Sequence, residues 1–360
     1  MKINKLNGLN FIFNFTIQTT AGKAKQIKVN NTVQTMHNFD WMQEKSLKHH
    51  QGFHCGVFSF FDGLHHQHRA LLEYGLKLAG GAHSKLLVVV ALENTMPAYS
   101  SKELLLVPEE RGSLIARLGF QNLALVSLPN HSTYGAKKSC LEIVAEKTGL
   151  LVPGPDIFEQ GSKQERHPLD LLQKQFPSLK MDKSFSRKFE KDVSPEIAAL
   201  IASGNLEEAF RNTGYAFFLK GLVVEGNKIG RTLGYPTANL KPAHPQKVVP
   251  EQGVYAALVK VEDAWYQSMV NIGIRPTLDL ENVTIEAHLF DFNRDIYGQE
   301  ITIHFIGRIR NEMRFTSLSE LKDQLSRDQQ NTRKKLRKYS EEIIKAGNFV
   351  VSTELPAKEI

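Results

Sequence analysis

Cysteine is scarce in this chain. The two residues, Cys55 and Cys140, stand far apart and fit neither a zinc-ligand spacing nor a disulfide framework. The expectation is a reducing compartment, the cytoplasm. No apolar run is long enough to span a bilayer. Lys2 and Lys5 precede an apolar stretch, Leu9 to Ile17, in the outline of a signal peptide, but Asn7, Asn10 and Asn14 interrupt it. A Walker loop is missing too, because no Gly-Lys-Ser/Thr follows any glycine cluster. The net charge is +7, from 45 Lys and Arg against 38 Asp and Glu. No motif that reads DNA or RNA accompanies it, so anionic small molecules and a basic tail account for the charge.

What remains is enough chain for two cores: 360 residues with 41% apolar side chains. From about residue 52 the apolar pattern alternates between short runs and helical periodicity. Strands are predicted at His54–Phe60, Lys85–Leu92, Asn122–Leu128 and Leu150–Val152. Helices are predicted at His65–Leu78, Pro108–Leu118 and Ala136–Thr148. Strands alternating with helices imply parallel βαβ units and a Rossmann-like sheet, with ligands beyond the strands' carboxyl ends. Residues 161–192 are rich in Lys, Arg, Gln and Ser and read as a partly helical, solvated linker. Ile197–Phe210 reads as one amphipathic helix. From Tyr215 the period becomes two, in Phe217–Glu225, Val254–Val261, Trp265–Ile272, Val283–Phe292 and Glu300–Ile306. Consecutive strands with short turns imply an antiparallel barrel. Leu318 to about Ala346 closes the chain as a helix, with Leu318, Leu321 and Leu325 on one face and an exposed basic end at Arg333–Lys338.

The most informative stretch is Gly226–Asn239, after the first barrel strand. Gly226, Gly230 and Gly234 let a backbone curl closely around a ligand, and Arg231 adds a fixed positive charge. Pro236 stiffens the exit. Thr237 and Asn239 carry side-chain oxygens of the kind Mg²⁺ prefers. Gly-Arg-x-x-Gly-Tyr-Pro-Thr-Ala-Asn resembles the ATP-binding signature of riboflavin kinases. The resemblance continues through Gly253-Val254-Tyr255, Asn271-Ile272-Gly273-Ile274-Arg275-Pro276-Thr277, Glu286, Asp291, Tyr297-Gly298 and Arg310 to Phe315, then Leu321 to Asp328. Order and spacing resemble the kinase half of the bacterial bifunctional riboflavin kinase/FMN adenylyltransferase family.

In the strand Val283–Leu289, Val283, Ile285, Ala287 and Leu289 share the apolar face, so Glu286 points the other way with Thr284 and His288. A carboxylate there suits a general base for a hydroxyl. By resemblance the family's catalytic glutamate falls on Glu286, ATP on Gly226, Gly230, Arg231, Gly234, Pro236 and Asn271, and Mg²⁺ on Thr237 and Asn239. Asn271–Thr277 then corresponds to a mobile loop near the nucleotide, and Arg310, Glu312 and Phe315 to the segment that closes over the flavin. His288 is the rival to Glu286, read as structural.

The turn after the first strand, Phe61-Asp62-Gly63-Leu64-His65-His66-Gln67-His68, resembles the family's adenylyltransferase motif. There Asp62, Gly63, His65 and His68 would contact ATP, at a helix N-terminus whose N–H groups attract phosphate. This sequence departs from the pattern. Gln67 replaces a glycine, and Phe60 a small polar residue. Ile157-Phe158-Glu159-Gln160 replaces the flavin-side segment, and Ala198 stands where the family carries an arginine. Loss of a charged phosphate contact costs orders of magnitude in rate.

The resemblance implies an extension at 1–35, absent from the related enzymes, with Met36 as an alternative start. It further implies a diverged adenylyltransferase-like Rossmann domain at 36–185, a riboflavin kinase domain at 186–346 and a tail at 347–360. The function expected is a riboflavin kinase that uses ATP, riboflavin and Mg²⁺, without nucleic-acid or membrane partners. Two rivals stay open: an enzyme that also makes FAD, and a flavin- or nucleotide-binding regulator without turnover.

Overall fold

The computed structural model describes residues 50–92, 103–127, 140–157, 179–189, 191–226, 229–276 and 281–337, with isolated positions between 42 and 49 and between 173 and 177. The expected extension, the tail and Phe158–Gln160 lie outside the described residues.

The first half is an α/β unit. Its elements are β1 (Cys55–Ser59), α1 (His66–Leu78), β2 (Leu86–Leu92), α2 (Pro108–Arg117), β3 (Leu123–Ser127), α3 (Cys140–Lys147), β4 (Leu150–Pro153) and the short β5 (Lys180–Met181). All pairings are parallel, in the order β3-β2-β1-β4-β5. β1 is buried throughout and β2 nearly so, as parallel strands covered on both faces must be. The order reverses between β1 and β4, and the His65–His68 turn lies just beyond β1.

Two helices, α4 (Ser194–Ala202) and α5 (Leu206–Thr213), lead into the barrel. They correct the expectation of one helix. Gly204 between them takes φ of +75°, a left-handed conformation that ends α4. The preceding linker is also less solvated than its composition suggests, since Phe185 and Asp192 are buried.

The second half comprises β6 (Phe218–Val224), the single turn α6 (Ile229–Thr232), β7 (Ala238–Pro242), β8 (Gly253–Val261), β9 (Ala264–Pro276), β10 (Glu281–Leu289), β11 (Glu300–Arg310) and α7 (Leu318–Leu336). The strands close an antiparallel barrel in the order β10-β7-β6-β11-β8-β9. Alternate residues fill it: Ile285, Ala287 and Leu289 from β10, and Ile301, Ile303 and Phe305 from β11. Val283 departs from the expected inward face and is 54% exposed. There β9 and β10 pair only with each other, as a two-stranded arm with no further sheet neighbour. Asn271–Pro276, expected as a loop, belongs to this extended pairing.

α7 covers the outside of the barrel. Its buried residues are Asp328, Thr332 and Leu336, one per turn, whereas Leu318 is 65% exposed. The seam therefore lies further along the helix than the leucine pattern predicts. Its basic end is partly spent internally: Arg333 pairs with Asp291, and Lys335 with Glu207.

Candidate active site

Three adjacent strands of the barrel carry one polar row. Asn239 of β7 lies opposite Glu286 of β10, which lies opposite Asn271 of β9. Directly paired residues project from the same face, so the three side chains sit side by side. The Thr237 hydroxyl donates to Glu286 Oε2 at 3.3 Å. Asn239 is 9% exposed and Glu286 half-buried, so the carboxylate is held yet reachable.

The glycines before this row do different jobs. A Cβ at Gly226 would lie 2.2 Å from Asn239 Nδ2, and one at Gly230 would lie 2.3 Å from the Tyr235 carbonyl oxygen. Gly234 meets nothing, but its φ of +85° requires glycine. The segment thereby folds tightly onto β7. His288 braces it from the side, with Nδ1 donating to the Pro236 carbonyl at 2.7 Å and the ring edge-on to Tyr235. Burial lowers the His288 pKa, so the ring is neutral near pH 7.

A cavity of about 400 Å³ opens beside the row, lined by Arg231, Pro236 and Thr237, by Ala287 and Leu289 of β10, and by the loop through Tyr297. Thr237 is the junction: its side chain lines the cavity and touches Glu286. On the other flank, a Cβ at Gly273 would lie 2.8 Å from Glu312 Oε1 and 3.4 Å from Asn271 Nδ2. Glu312 thus extends the row past Asn271. Arg310 does not join it. Its guanidinium is bound to Asp328 of α7, with Nε and Nη2 at 2.9 and 2.8 Å from Oδ2, and it stacks 5.8 Å over Phe315. Asp328 is 1% exposed and was not singled out in the sequence, where it reads as one more charge on a polar helix.

The α/β turn is closely packed. His65 and His68 do begin α1, but both are fully buried. His65 Nε2 donates to Asp192 Oδ1 at 3.2 Å, and His68 Nε2 donates to Asp156 Oδ2 at 3.0 Å. Their rings stack 3.8 Å apart. Burial, and then the neighbouring His68, pushes the His65 pKa down to about 3. Burial alone would raise Asp192, but hydrogen bonding from His65 and the nearby imidazoles hold it well below the carboxylate range. Asp62 accepts from the Leu105 and Leu106 amides and pairs with Arg111. A Cβ at Gly63 would strike Leu105 at 2.6 Å. Gln67 donates to the Lys191 carbonyl, bracing the 191–194 segment, and Ser194 donates to the Asp62 carbonyl. Ala198 packs against the barrel core. The turn is thus a filled, hydrogen-bonded polar core.

Comparison with known proteins agrees with this architecture. The riboflavin kinase family (Flavokinase) matches residues 213–336. A bifunctional riboflavin kinase/FMN adenylyltransferase of Listeria monocytogenes is 31% identical over 284 residues, covering 76% of this chain and 90% of that one. Its counterpart in Escherichia coli is 32% identical over 285 residues, again 76% and 90%. A crystal structure from Streptococcus pneumoniae, described as a macrolide-efflux protein, superposes with a TM-score of 0.64 at 29% identity, covering 79% of this chain and 95% of that one. The chain therefore belongs to the bifunctional riboflavin kinase/FMN adenylyltransferase family, and its barrel is a riboflavin kinase domain.

Proposed function

We propose that Glu286 is the general base of this kinase, and that the Asn239–Glu286–Asn271 row with Thr237 is where the γ-phosphoryl group of ATP meets the ribityl 5′-hydroxyl of riboflavin. The observation that carries this is the Thr237–Glu286 hydrogen bond at the mouth of the cavity. The hydroxyl oxygen forms its bond to the γ-phosphorus as the bond to the β–γ bridging oxygen breaks. Glu286 takes the hydroxyl proton, and ADP leaves. Arg231, exposed at the cavity wall, offsets phosphate charge, and Gly226, Gly230, Gly234, Pro236 and Asn271 shape the nucleotide side.

Phosphoryl transfer from ATP calls for a divalent cation, and Thr237 with Asn239 fits Mg²⁺, offering only hard oxygen donors. When bound, Mg²⁺ neutralises charge on the phosphates. Glu312 and Phe315 border the flavin. Arg310 contributes by anchoring their loop to Asp328.

The α/β domain, residues 36–185, supports the kinase domain at 186–346 rather than making FAD, because His65, His68 and Asp62 are engaged internally. The substrates are small molecules, with no nucleic-acid or membrane partner, and the assignment is to the cytoplasm, where ATP is at hand.

The test is a product assay with riboflavin, ATP and Mg²⁺, with flavins separated by chromatography. FMN alone is expected, and Glu286→Gln should lower its rate by about 10²–10⁴-fold. Undiminished FMN formation in that variant removes Glu286 as base. FAD among the products removes the structural role of the first domain.

A further inference from the structure

Pro236 interrupts the barrel ladder beside the kinase row. β7 and β10 pair through Ala238 with Ala287 and Asn239 with Glu286, and the register would next set Thr237 opposite His288. Pro236 has no N–H, so backbone pairing cannot carry on past it. A side chain takes over: His288 Nδ1 donates to the Pro236 carbonyl at 2.7 Å. His288 shares its face of β10 with Glu286, two residues earlier. The two side chains thus hold consecutive residues of the nucleotide segment, His288 the Pro236 carbonyl and Glu286 the Thr237 hydroxyl. The two bonds are unequal. At 3.3 Å the Thr237–Glu286 bond is longer than the usual O–H···O range of about 2.5–3.0 Å, so it does not fix the threonine by itself. The Pro236 carbonyl lies in one peptide plane with the Thr237 Cα, so holding it sets where the threonine side chain starts.

The ring is itself held in place. It is 8% exposed, stands edge-on to Tyr235 and Phe290 at 5.2 and 5.6 Å, and lies opposite Met269 of β9. The Arg333 guanidinium of α7 covers Phe290 at 4.6 Å. We infer that His288 is a positioning residue for phosphoryl transfer: through the Pro236 carbonyl it holds the Thr237 hydroxyl beside the Glu286 carboxylate. Gly230 and Gly234 leave the preceding segment little stiffness of its own. A misplacement of about 1 Å in such a site costs about a hundredfold in rate. The inference rests on the reading of Glu286 and Thr237 proposed above.

The experiment uses the full chain and two substitutions of opposite character. His288→Asn keeps an N–H donor at the place of Nδ1 but leaves a gap, whereas His288→Leu fills the site and cannot donate. The kcat, both KM values and Tm are measured for each. His288→Leu should lower kcat by about 10–100-fold, with KM for riboflavin changed less than about twofold, while His288→Asn should stay within about threefold of the wild-type kcat. A role in packing alone predicts the reverse order, since leucine fills the site better than asparagine. Combining His288→Leu with Thr237→Val should cost little beyond Thr237→Val alone, because the histidine acts through the threonine. If His288→Leu keeps the wild-type kcat, if His288→Asn is as slow as His288→Leu, or if the losses in the double variant add, His288 only packs the segment. Glu286→Gln in the same assay keeps the two readings apart. Undiminished activity there overturns Glu286 as base, whereas a slow Glu286→Gln beside an unaffected His288→Leu overturns the positioning role alone.

Discussion

At the scale of single residues, the kinase site depends on close contact as much as on charge. Gly226 lies against Asn239, so Gly226→Ala puts a methyl group 2.2 Å from the amide nitrogen of a 9% exposed side chain. Gly226 is not in a left-handed conformation, so the backbone tolerates alanine. The expected result is a fall of about a hundredfold in kcat/KM from displacement of the row, with Tm nearly unchanged; a matched loss of Tm would make the effect one of folding. A second prediction concerns acid. His304 is buried, stacks on Phe218, lies tilted against Trp265, and has its pKa pushed down to about 3 by burial. The unfolded chain takes up that proton near pH 6.5, while the folded chain resists it until about pH 3. Stability should therefore fall as pH drops below about 6.5, by up to about 1.4 kcal/mol per pH unit for this one imidazole. Urea midpoints measured from pH 7 to 4.5 check the slope, which His304→Phe should reduce. Where chemistry asks for a residue type at a spacing, the sequence picks out residues that the fold brings together: Asn239, Glu286 and Asn271 stand in one row, with Thr237 bonded to Glu286. Asp192 and Asp328 it does not pick out, because a carboxylate's pairing partner lies far away in sequence.

At the scale of elements, periodicity identified strands and helices better than it set their ends. The apolar pattern of Ile197–Phe210 runs through Gly204 without a break, and only its left-handed φ divides α4 from α5. The β9–β10 arm carries Gly273 and Pro276, which read as loop, yet pairing between the two strands keeps it extended. The leucine pattern predicts α7 but places its seam too early, because the buried positions include Asp328 and Thr332, polar residues that an apolar pattern passes over. Asp328 accepts from Arg310 and from Gln324, tying the helix to the end of β11. Asp328→Asn leaves the Arg310 guanidinium, 17% exposed, without its counter-charge. A loss of about 3 kcal/mol is expected, with Tm lower by several degrees. Because Arg310 anchors the segment carrying Glu312 and Phe315, KM for riboflavin should rise more than KM for ATP. Equal changes in the two would show that α7 supports the whole barrel, not the flavin side.

At the scale of the whole molecule, a small set of polar contacts joins the α/β sheet to the barrel. Leu104 and Lys247 form an isolated parallel bridge, with backbone hydrogen bonds of 2.7 and 3.0 Å, between the approach to α2 and the segment after β7. Lys247 is buried there. Its ammonium group donates to the Leu105 carbonyl at 2.6 Å, pairs with Glu110 of α2 and lies 4.7 Å over the Phe218 ring. Burial lowers its pKa, while Glu110 opposes that shift. Beside this pair, Arg111 holds Asp62 of the α/β turn, so residues of the closed turn and of the barrel share one buried group of charges. A lone buried charge costs far more than a paired one, so the pair acts as a test of whether the domains have docked. Lys247→Met removes the cation and leaves the Glu110 carboxylate, 12% exposed, unpaired. The expectation is a loss of about 3–5 kcal/mol and the division of one thermal transition into two as the cores uncouple. Adding Glu110→Gln removes the orphaned charge and should recover part of that loss, a positive coupling that independent sites do not give. Calorimetry on the two variants decides the matter. A single unshifted transition in Lys247→Met would mean that packing around Leu105 and the barrel core, not this ion pair, holds the halves together.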